Sequence, residues 1–575
     1  MTNSTFSRRA HRWATTWRYA VGCLGAVLAL LTAFPAYALT GADVAYLVNQ
    51  RYQSTVSQCA VNRAAWMCSG VLMRALPGDA SQSFSQLTPD ELALGSANVA
   101  YVRKDLRTAS LPTSAGVIFA DGLTAAGWGK PIDVRCAYPV AVAPTTNASA
   151  HGCELLPNAS APDPSSCQRL GVTDAEGWLA HFSGTADDIA KQCSLSAIDA
   201  KQFKASLEAH ERVSDSLAAG PNNLLVAAWD PAKPQNMPVQ AFFYDVSHGG
   251  QLIQAQRYQK QYFDATGTWV PILRMAFGPP QGAAFGYDET DQLDYGLRVA
   301  DRLNARYDDI APTCAGGRAA FYCNGVIIRI AAASAAFHAW NPSPSSVTRN
   351  GVSFSYLRAD ANVTQLIEAR GGTGFIVRES AAPTAHPLVV RCAFPSDGWT
   401  GARRESCYSN ADARFCDQMG VTTIATWQTH YLSADLATQC PFRPEAAPFQ
   451  LSIDVRHHFP KDYPLRHLYN ELILQPWPDD IPLEIPLEAF IYIGDGVDEG
   501  RYLQQDYMAQ TGRSLPLIRV DVTPGVGKVF VYLPDDQIGA ISTTVPPPGG
   551  VQSMESRGAG LTGNSGPVPE AILRP

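Results

Sequence analysis

Four polar residues in the second half of the chain are of types that can do chemistry together. Arg329 ends the apolar run GVIIR, Ser353 and Ser355 share the run SFSYLR, and Glu488 lies in the run LEAFIYI. The planar fork of an arginine suits a phosphate, because it donates two parallel hydrogen bonds. A carboxylate can stabilise a transition state that carries positive charge. These four residues are therefore the candidate site.

Each of these residues also has a purely structural interpretation. Arg329 can form an ion pair at the end of its strand, and the two serines can bond to backbone at a strand edge. Glu488 can simply face solvent, as most glutamates do. The elements that position these residues decide between the two interpretations.

Short apolar runs between turn residues predict the strands that carry the candidate residues. Helical spacing of apolar residues predicts a helix from Leu293 to Tyr307, and a second helix over 499–512 is expected to end at Gly512. Strands outnumber helices and do not alternate regularly with them, so the predicted fold class is α+β. The predicted strands of the second half are GVIIR (325–329), SFSYLR (353–358), GFIV (374–377), LVVRCAF (388–394), LEAFIYI (487–493) and LPLIRVDV (515–522).

The first half of the chain repeats this pattern. AWMCSGVLMR (65–74) matches AFYCNGVIIR (320–329) at five of ten positions, and QYFDATGTWVPILR (261–274) matches DYMAQTGRSLPLIR (506–519). The sequence therefore predicts two tandem, disulfide-stabilised mixed α/β repeats.

The two copies differ at the candidate site. Arg329 has a counterpart in Arg74, but the other three candidate residues do not match. Where the second copy has Ser353, Ser355 and Glu488, the first has Asn98, Ala100 and Gln240. If one copy is catalytic, we therefore expect it to be the second.

The thirteen cysteines are distributed in agreement with the repeat. Cys23 lies in an apolar N-terminal stretch, and the other twelve divide into six for each copy. A zinc site is disfavoured, because the chain has no closely spaced Cys-x-x-Cys pair, and no metal-binding residue is predicted. If neighbours pair, the disulfides are 59–68, 136–153, 167–193, 314–323, 392–407 and 416–440.

The N-terminus has the pattern of a secretory signal. Residues 1–18 contain four arginines and no acidic residue, an apolar run covers 19–37, and Ala36-Tyr37-Ala38 fits a cleavage site. An uncleaved membrane anchor and a twin-arginine signal are the alternatives. A cleaved Sec-type signal predicts a secreted or periplasmic protein without a membrane segment, in a compartment where disulfides persist.

Composition divides the rest of the chain. The 44 basic and 52 acidic residues leave a net charge of −8, which argues against nucleic acid as a partner because phosphate backbones select basic surfaces. A Gly/Pro/Ser-rich C-terminal segment is expected to be disordered. The predicted organisation is a signal (1–38), a degenerate first copy (39–277), a linker (278–289), a second copy (290–523) and a disordered tail (524–575).

The second copy resembles the halovibrin-like secreted bacterial proteins. AFYCNGVIIR, HAWNPSPSSV, GVSFSYLRAD and TGRSLPLIRVDV carry the resemblance, which covers nearly all of this copy, whereas the first copy shares only the frame. Halovibrins are described as exported enzymes that consume NAD, as glycohydrolases or ADP-ribosyltransferases. The resemblance implies NAD as the substrate, no additional cofactor, and water or a protein as the acceptor of ADP-ribose.

The order of the polar residues is also similar to the Arg–Ser–Glu plan of ADP-ribosyltransferase toxins, which implies a related fold. In that family the arginine closes the first core strand and steadies the cofactor pocket, and a serine of the second strand holds the catalytic glutamate. The resemblance assigns Arg329 to cofactor binding and makes Ser353, Ser355 and Glu488 the catalytic residues.

Two aromatic residues of the second copy are candidates for contact with nicotinamide. Trp340 and Phe375 are expected to bind the cofactor by stacking on nicotinamide.

The Arg-specific transferases have Glu or Gln two residues before the catalytic glutamate, whereas this chain has Pro486. This difference argues against arginine modification and favours hydrolysis to free ADP-ribose. Glu484, four residues before Glu488, is the alternative working carboxylate.

Two other functions are open. A non-catalytic secreted binding protein built from two disulfide-rich repeats explains the loss of polar groups in the first copy equally well. A hydrolase that uses Ser353 or Ser355 with His338 is the third hypothesis, although the chain lacks a nucleophile elbow.

Overall fold

The computed structural model describes most of the chain between residues 39 and 538. The predicted signal (1–38), the end of the chain (539–575) and Glu484 lie outside the described residues. The described ranges are 39–76, 83–106, 115–120, 132–141, 166–182, 192–213, 221–246, 251–276, 284–331, 338–363, 366, 372–377, 389–396, 407, 415–431, 439–459, 469–477, 486–523, 525 and 527–538.

Nine strands form one mixed sheet in the first half. Across the sheet the order is β9-β8-β7-β3-β1-β2-β6-β4-β5, and only β7 and β8 are parallel neighbours. In chain order the strands are β1 (Val71–Ala75), β2 (Ser96–Val102), β3 (Ala115–Phe119), β4 (Val134–Tyr138), β5 (Leu195–Ser196), β6 (Asn223–Ala227), β7 (Val239–Asp245), β8 (Ile272–Met275) and β9 (Phe285–Tyr287).

Eight strands form a second mixed sheet. Their order is β17-β16-β15-β12-β10-β11-β14-β13, and only β15 and β16 are parallel neighbours. The strands are β10 (Val326–Ile330), β11 (Val352–Leu357), β12 (Thr373–Val377), β13 (Val390–Phe394), β14 (Glu471–Leu474), β15 (Leu487–Tyr492), β16 (Leu517–Val520) and β17 (Phe530–Tyr532).

Helices cover the sheets and connect the parallel strands, so the predicted mixture of helices and strands is confirmed. The helix between β15 and β16 ends at Gly512, whose φ of 66° is left-handed and whose N–H donates to the Met508 carbonyl, as predicted. The helices are α1 (Gly41–Gln53), α2 (Pro89–Leu94), α3 (Ala175–His181), α4 (Ala200–Val213), α5 (Gln251–Thr266), α6 (Leu293–Asp308), α7 (Pro344–Arg349), α8 (Ile424–His430), α9 (Ala446–His457), α10 (Val497–Thr511) and α11 (Pro534–Ile538).

Helices α6 and α10 lie on opposite faces of the second sheet. The strand register places Ile491, Ile518 and Tyr532 on one face, because residues opposite each other on neighbouring strands share a face. The Tyr532 ring lies against Gly296 of α6, where a Cβ would clash with it. Gly500 of α10 approaches Leu517 on the other face in the same way. We call these the α6 face and the α10 face.

The predicted linker and the predicted disordered tail both begin too early, because each contains a strand. β9 lies within 278–289 and pairs with β8, and β17, inside 524–575, pairs with β16. Overall composition concealed these strands, since the buried Phe285, Phe530 and Tyr532 stand among glycines and prolines. The second sheet therefore extends beyond residue 523, and α11 follows it to residue 538.

The disulfides pair neighbouring cysteines, as predicted. Five bridges lie within the described residues, and the partner predicted for Cys136, Cys153, lies outside them. Among the described residues, no helix combines the length and apolar character needed to cross a bilayer. The five bridges are Cys59–Cys68, Cys167–Cys193, Cys314–Cys323, Cys392–Cys407 and Cys416–Cys440.

Candidate functional site

Arg329 lies near the end of β10 and braces the neighbouring strand β11. Its Nη1 donates a hydrogen bond to the backbone carbonyl of Ser353 at 2.7 Å, and its guanidinium lies 5.9 Å from the centre of the Phe354 ring. The register pairs Arg329 with Phe375 and Phe375 with Phe490. Phe490 contacts Tyr507 of α10. The side chain of Arg329 therefore projects from the α10 face of the sheet.

The two aromatic residues predicted to stack on nicotinamide are core residues. Phe375 and Trp340 each have a relative exposure of 0%. The Trp340 ring packs edge-to-face against Tyr507 at 5.4 Å and stacks on His338 at 4.5 Å. His338 Nδ1 in turn bonds Asp506 Oδ2 at 2.6 Å. Neither ring presents a free face for nicotinamide, and His338 bonds an aspartate instead of either serine.

Glu488 connects the second sheet to α6. The register of β12 with β15 shifts so that Glu488 is the bulged residue between two paired positions, and bulges redirect side chains. Its carboxylate bonds Arg306 Nη1 at 3.0 Å and Arg302 Nη2 at 3.3 Å, and Glu488 is only 5% exposed. Burial disfavours the charge of Arg302, but the Glu488 carboxylate raises the pKa of Arg302 above its usual value.

The first sheet has the same arrangement without the charge. Gln240 lies at the equivalent bulge of β7, and its Oε1 accepts a hydrogen bond from Arg51 Nη1 of α1 at 3.0 Å. Gln240 is 1% exposed and Arg51 is 6% exposed. In both sheets a buried side chain at the bulge accepts a hydrogen bond from an arginine of the covering helix. This shared contact is a structural role.

Strand order separates Glu488 from the serines. β10 and β12 lie between the serine strand β11 and the glutamate strand β15, and three strand spacings correspond to about 14 Å. The expectation that Ser353 or Ser355 holds Glu488 is therefore wrong. The reason is that proximity in a sheet follows strand order and not the order of residues along the chain.

A different glutamate lies beside the serines. β11 pairs with β14 in a register that joins Ser353 to Ile473 and Phe354 to Leu472, and the next pair in this register is Ser355 with Glu471. Opposite residues of an antiparallel pair have Cβ atoms about 4.5–5.5 Å apart and point to the same face. Ser355 is 7% exposed and Glu471 is 1% exposed.

Sequence reasoning missed Glu471 and the strand that it begins. The signal was present, because the run NELIL (470–474) places an acid before an apolar strand, and the first half has NNLLV (222–226) at the same place. The register is comparable in the first half, where the pairing of β2 with β6 continues from Val99 and Leu224 to Ala100 and Asn223. Glu471 is thus a carboxylate that only the second half has.

Three polar residues specific to the second half, Ser353, Ser355 and Glu471, lie on the neighbouring strands β11 and β14. In the first half Asn223 Nδ2 donates to Asn98 Oδ1 at 2.9 Å, which shows that these two positions are in contact. In the second half the same positions are Glu471 and Ser353, with Ser355 replacing Ala100. We call Ser353, Ser355 and Glu471 the serine–glutamate cluster. It lies on the face opposite Arg329, because Ile328 pairs with Ser355.

A disulfide stabilises one side of this cluster. On β13, Phe394 is paired with Glu471, and Cys392 is paired with Ile473. Cys392, Phe394, Ile473 and Cys407 form one buried apolar group, and Cys392 is bonded to Cys407. The carboxylate therefore lies between an apolar wall and the serine strand.

The arginines shared by the two halves have different surroundings. Arg74 forms a buried ion pair with Glu91 of α2, with Nη1 2.6 Å from Oε1 and Nη2 2.7 Å from Oε2. Burial alone would raise the pKa of Glu91, but the hydrogen bond and charge of Arg74 lower it overall. At the corresponding place α7 carries Ser346, after the same cap-then-proline start as α2. The second half therefore keeps the arginine but replaces this carboxylate with a hydroxyl.

No group of three or more potential metal ligands occurs in the part of the chain that the structure describes. No protein-family model matches the chain, and a comparison with curated proteins found no match either.

Proposed function

We propose that the second half cleaves the nicotinamide–ribose bond of NAD, with Glu471 as the working carboxylate in place of Glu488. The register of β11 with β14 carries the proposal, because its continuation beyond Phe354 and Leu472 places Ser355 opposite Glu471. This is the serine–glutamate relation that the resemblance implies, and both residues are specific to the second half. Glu488 instead keeps a structural position that the first half fills with Gln240.

The chemistry needs one carboxylate and a water molecule. The bond between the ribose C1′ and the nicotinamide nitrogen breaks, and its electron pair leaves with nicotinamide. The sugar passes through an oxocarbenium-like state, which an adjacent carboxylate stabilises. The water oxygen then bonds C1′, and the carboxylate accepts the proton that the water loses. The products are ADP-ribose, free nicotinamide and a proton.

The other residues of this half position the cluster. Ser355 would donate a hydrogen bond to Glu471 and orient it, and Arg329 fixes the serine strand through the Ser353 carbonyl. With water as acceptor the activity is that of a glycohydrolase. A protein acceptor would make the same step an ADP-ribosyl transfer.

We further propose that the two halves arose by tandem duplication. Equivalent side chains support this by making the same bonds in both halves. The Gln292 amide bonds the N–H and the carbonyl of Ile272 on β8, as the Gln537 amide does for Leu517 on β16. Asn49 of α1 bonds the backbone of Phe285, as Asn304 of α6 does for Phe530.

Export to an oxidising compartment is also proposed. The cysteines of both halves are bonded within compact units, which supports a secreted or periplasmic location because such bonds persist there. The signal segment itself lies outside the described residues.

The test is release of nicotinamide from NAD by the purified, oxidised protein and by two matched variants. Glu471→Gln should reduce turnover by about 100-fold or more, because it removes the only carboxylate of the cluster. Glu488→Gln should keep most of the turnover, because glutamine already serves at this position in the first half. Melting temperatures of all three proteins show whether they are folded.

Two outcomes would contradict this proposal. One is full turnover by Glu471→Gln, and the other is no turnover by the folded parent protein. In the second case the alternative, a non-catalytic binding protein, is favoured. NAD would then leave the melting temperature unchanged, whereas a ligand at 100 times its dissociation constant adds ~2.7 kcal/mol of stability.

A further inference from the structure

A cavity of about 280 Å³ opens in the second half, and its lining includes no residue of the serine–glutamate cluster. It lies between the segment that starts at Cys416 and the first turn of α9. Its walls are mainly apolar, and Asp417, Thr422 and Arg443 are its polar lining residues. The apolar walls comprise Cys416, Val421, Phe442, Ala447, Pro448 and Leu451.

The walls of this cavity are held by bonds that do not depend on a ligand. Cys416 is bonded to Cys440, and its N–H donates to the Pro441 carbonyl at 3.0 Å. Phe442 exchanges two backbone hydrogen bonds with Ala393 of β13, at 2.7 and 2.9 Å. The cavity is therefore preformed, as small-molecule sites usually are.

At the corresponding place in the first half, a glutamine side chain bonds the backbone. Leu195 pairs with Ala137 on β4 as Phe442 pairs with Ala393 on β13, so the residue after each, Ser196 or Arg443, is equivalent. Gln202 Oε1 accepts a hydrogen bond from the Ser196 N–H at 2.9 Å.

Proline replaces that glutamine in the second half. Gln202 precedes Phe203 and Pro448 precedes Phe449, and these two phenylalanines make the same edge contact with a buried tyrosine of the neighbouring sheet. Pro448 has no side-chain group that could reach Arg443 as Gln202 reaches Ser196. The second half thus lacks the hydrogen bond that Gln202 makes in the first half, and we infer that this leaves the cavity open.

The polar lining of the cavity carries one charge of each sign. Arg443 Nε lies 3.2 Å from Asp417 Oδ2, and the two side chains are 34% and 49% exposed. Arg443 also lies 4.5 Å from the centre of the Phe415 ring, which holds the guanidinium beside the opening. A ligand with both an ammonium and a carboxylate group satisfies both charges, because each can exchange its partner for the ligand.

We propose that this cavity binds a free α-amino acid with an apolar side chain. The side chain occupies the apolar space, the ammonium bonds Asp417, and the carboxylate bonds Arg443. A phenylalanine or leucine side chain fits within 280 Å³. For a ligand of this size a dissociation constant on the order of 0.1–1 mM is expected. The site is independent of NAD cleavage.

Binding of L-phenylalanine to the oxidised protein, measured by calorimetry and saturation-transfer NMR, tests this proposal. L-phenylalanine should bind saturably below about 10 mM. Its analogues 2-phenylethylamine and 3-phenylpropionate, each lacking one charge, should bind at least about tenfold more weakly, since each loses a charge-assisted hydrogen bond.

Variants based on the first half provide the matched controls. Ala447→Lys with Pro448→Gln installs the closing residues and should weaken binding at least about tenfold, whereas Lys201→Ala with Gln202→Pro should leave it unchanged. Asp417→Asn and Arg443→Gln should each weaken it, and they keep the test valid if the double variant does not fold. Glu471→Gln should bind normally, which separates this site from the proposed function.

The proposal is overturned by absence of saturable binding to the folded protein or by equal binding to the folded closed variant. Equal affinity for phenylalanine and for either analogue would also overturn it, because the charged lining would then contribute nothing.

Discussion

The Glu488 carboxylate bonds two arginines of a single helix, Arg302 and Arg306. Arg306 is 11% exposed at its side chain and depends on this carboxylate, whereas Arg302 is half exposed and contributes less. Glu471 has the same side chain but faces a serine on the next strand. The chemistry of a buried glutamate is thus set by the residue opposite it, and not by its type.

Replacing Glu488 with leucine should reduce the free energy of unfolding by about 3 kcal/mol or more. The reason is that Arg306 would keep a buried charge without its carboxylate partner. Glu488→Gln should cost about 1 kcal/mol, because glutamine still accepts a hydrogen bond, as Gln240 does. Denaturant unfolding measures both. A leucine variant as stable as the parent would show that the ion pair is not structural.

The buried pair of Arg74 and Glu91 should make stability depend on acid pH. Because the pKa of Glu91 is lowered in the folded state, its contribution is fully present above the pKa of an unfolded glutamate, about 4.3. It is lost as pH falls through the folded-state pKa. The stability difference between the parent and Glu91→Gln should therefore be largest at neutral pH and shrink below about pH 4. Denaturant midpoints across this range measure it.

The control is Glu208→Gln, since Glu208 forms an exposed helix pair with Lys204 and such pairs contribute little to stability. This variant should differ little from the parent at any pH. A stability difference for Glu91→Gln that grows on acidification would contradict the assignment.

Among the elements, β17 and α11 contribute more to the stability of the second sheet than the composition around them indicates. Phe530 is 0% exposed and Tyr532 is 6% exposed, and Gln537 completes the backbone bonds of β16. β17 thus covers an edge of the second sheet that would otherwise be open, and open edges favour aggregation.

A chain that ends after residue 523 should be destabilised by at least about 3 kcal/mol. It loses two buried aromatic side chains, each contributing about 1.5–3 kcal/mol. A chain that ends after residue 538 keeps both elements and should unfold like the full chain. Thermal unfolding and solubility of the two truncations test this. Equal stability of the shorter truncation would show that β17 and α11 are dispensable.

At the scale of the whole molecule, the end of the second half rests on the first. Arg257 of α5 donates from Nε to the carbonyl of Ile538 at 2.9 Å, and Lys260 lies 3.4 Å from Asp535. The chain therefore returns from the second sheet to the helix between β7 and β8. Truncation after residue 523 would remove this contact as well, so its effect should extend beyond the second sheet.

Local sequence patterns were sufficient to predict much of the secondary structure and the disulfide pairing of this protein. The six strands predicted in the second half, the helix that ends at Gly512 and the pairing of neighbouring cysteines are confirmed. These features depend on residues close together in the chain: apolar runs, a glycine that adopts positive φ, and short loops between cysteines. The strand of Glu471 was missed although its apolar run was visible.

The tertiary structure alone decided which polar residues meet. Whether Ser355 lies beside Glu471 or Glu488 depends on strand order, which is set by pairing between segments more than a hundred residues apart. Likewise, Trp340 and Phe375 are recognisable as aromatic residues, but only packing shows that they lie in the core. The sequence by itself determined most of the helices and strands and the polar and aromatic residues that they carry. The long-range pairing of strands decided the site, because no local pattern encodes which strands become neighbours.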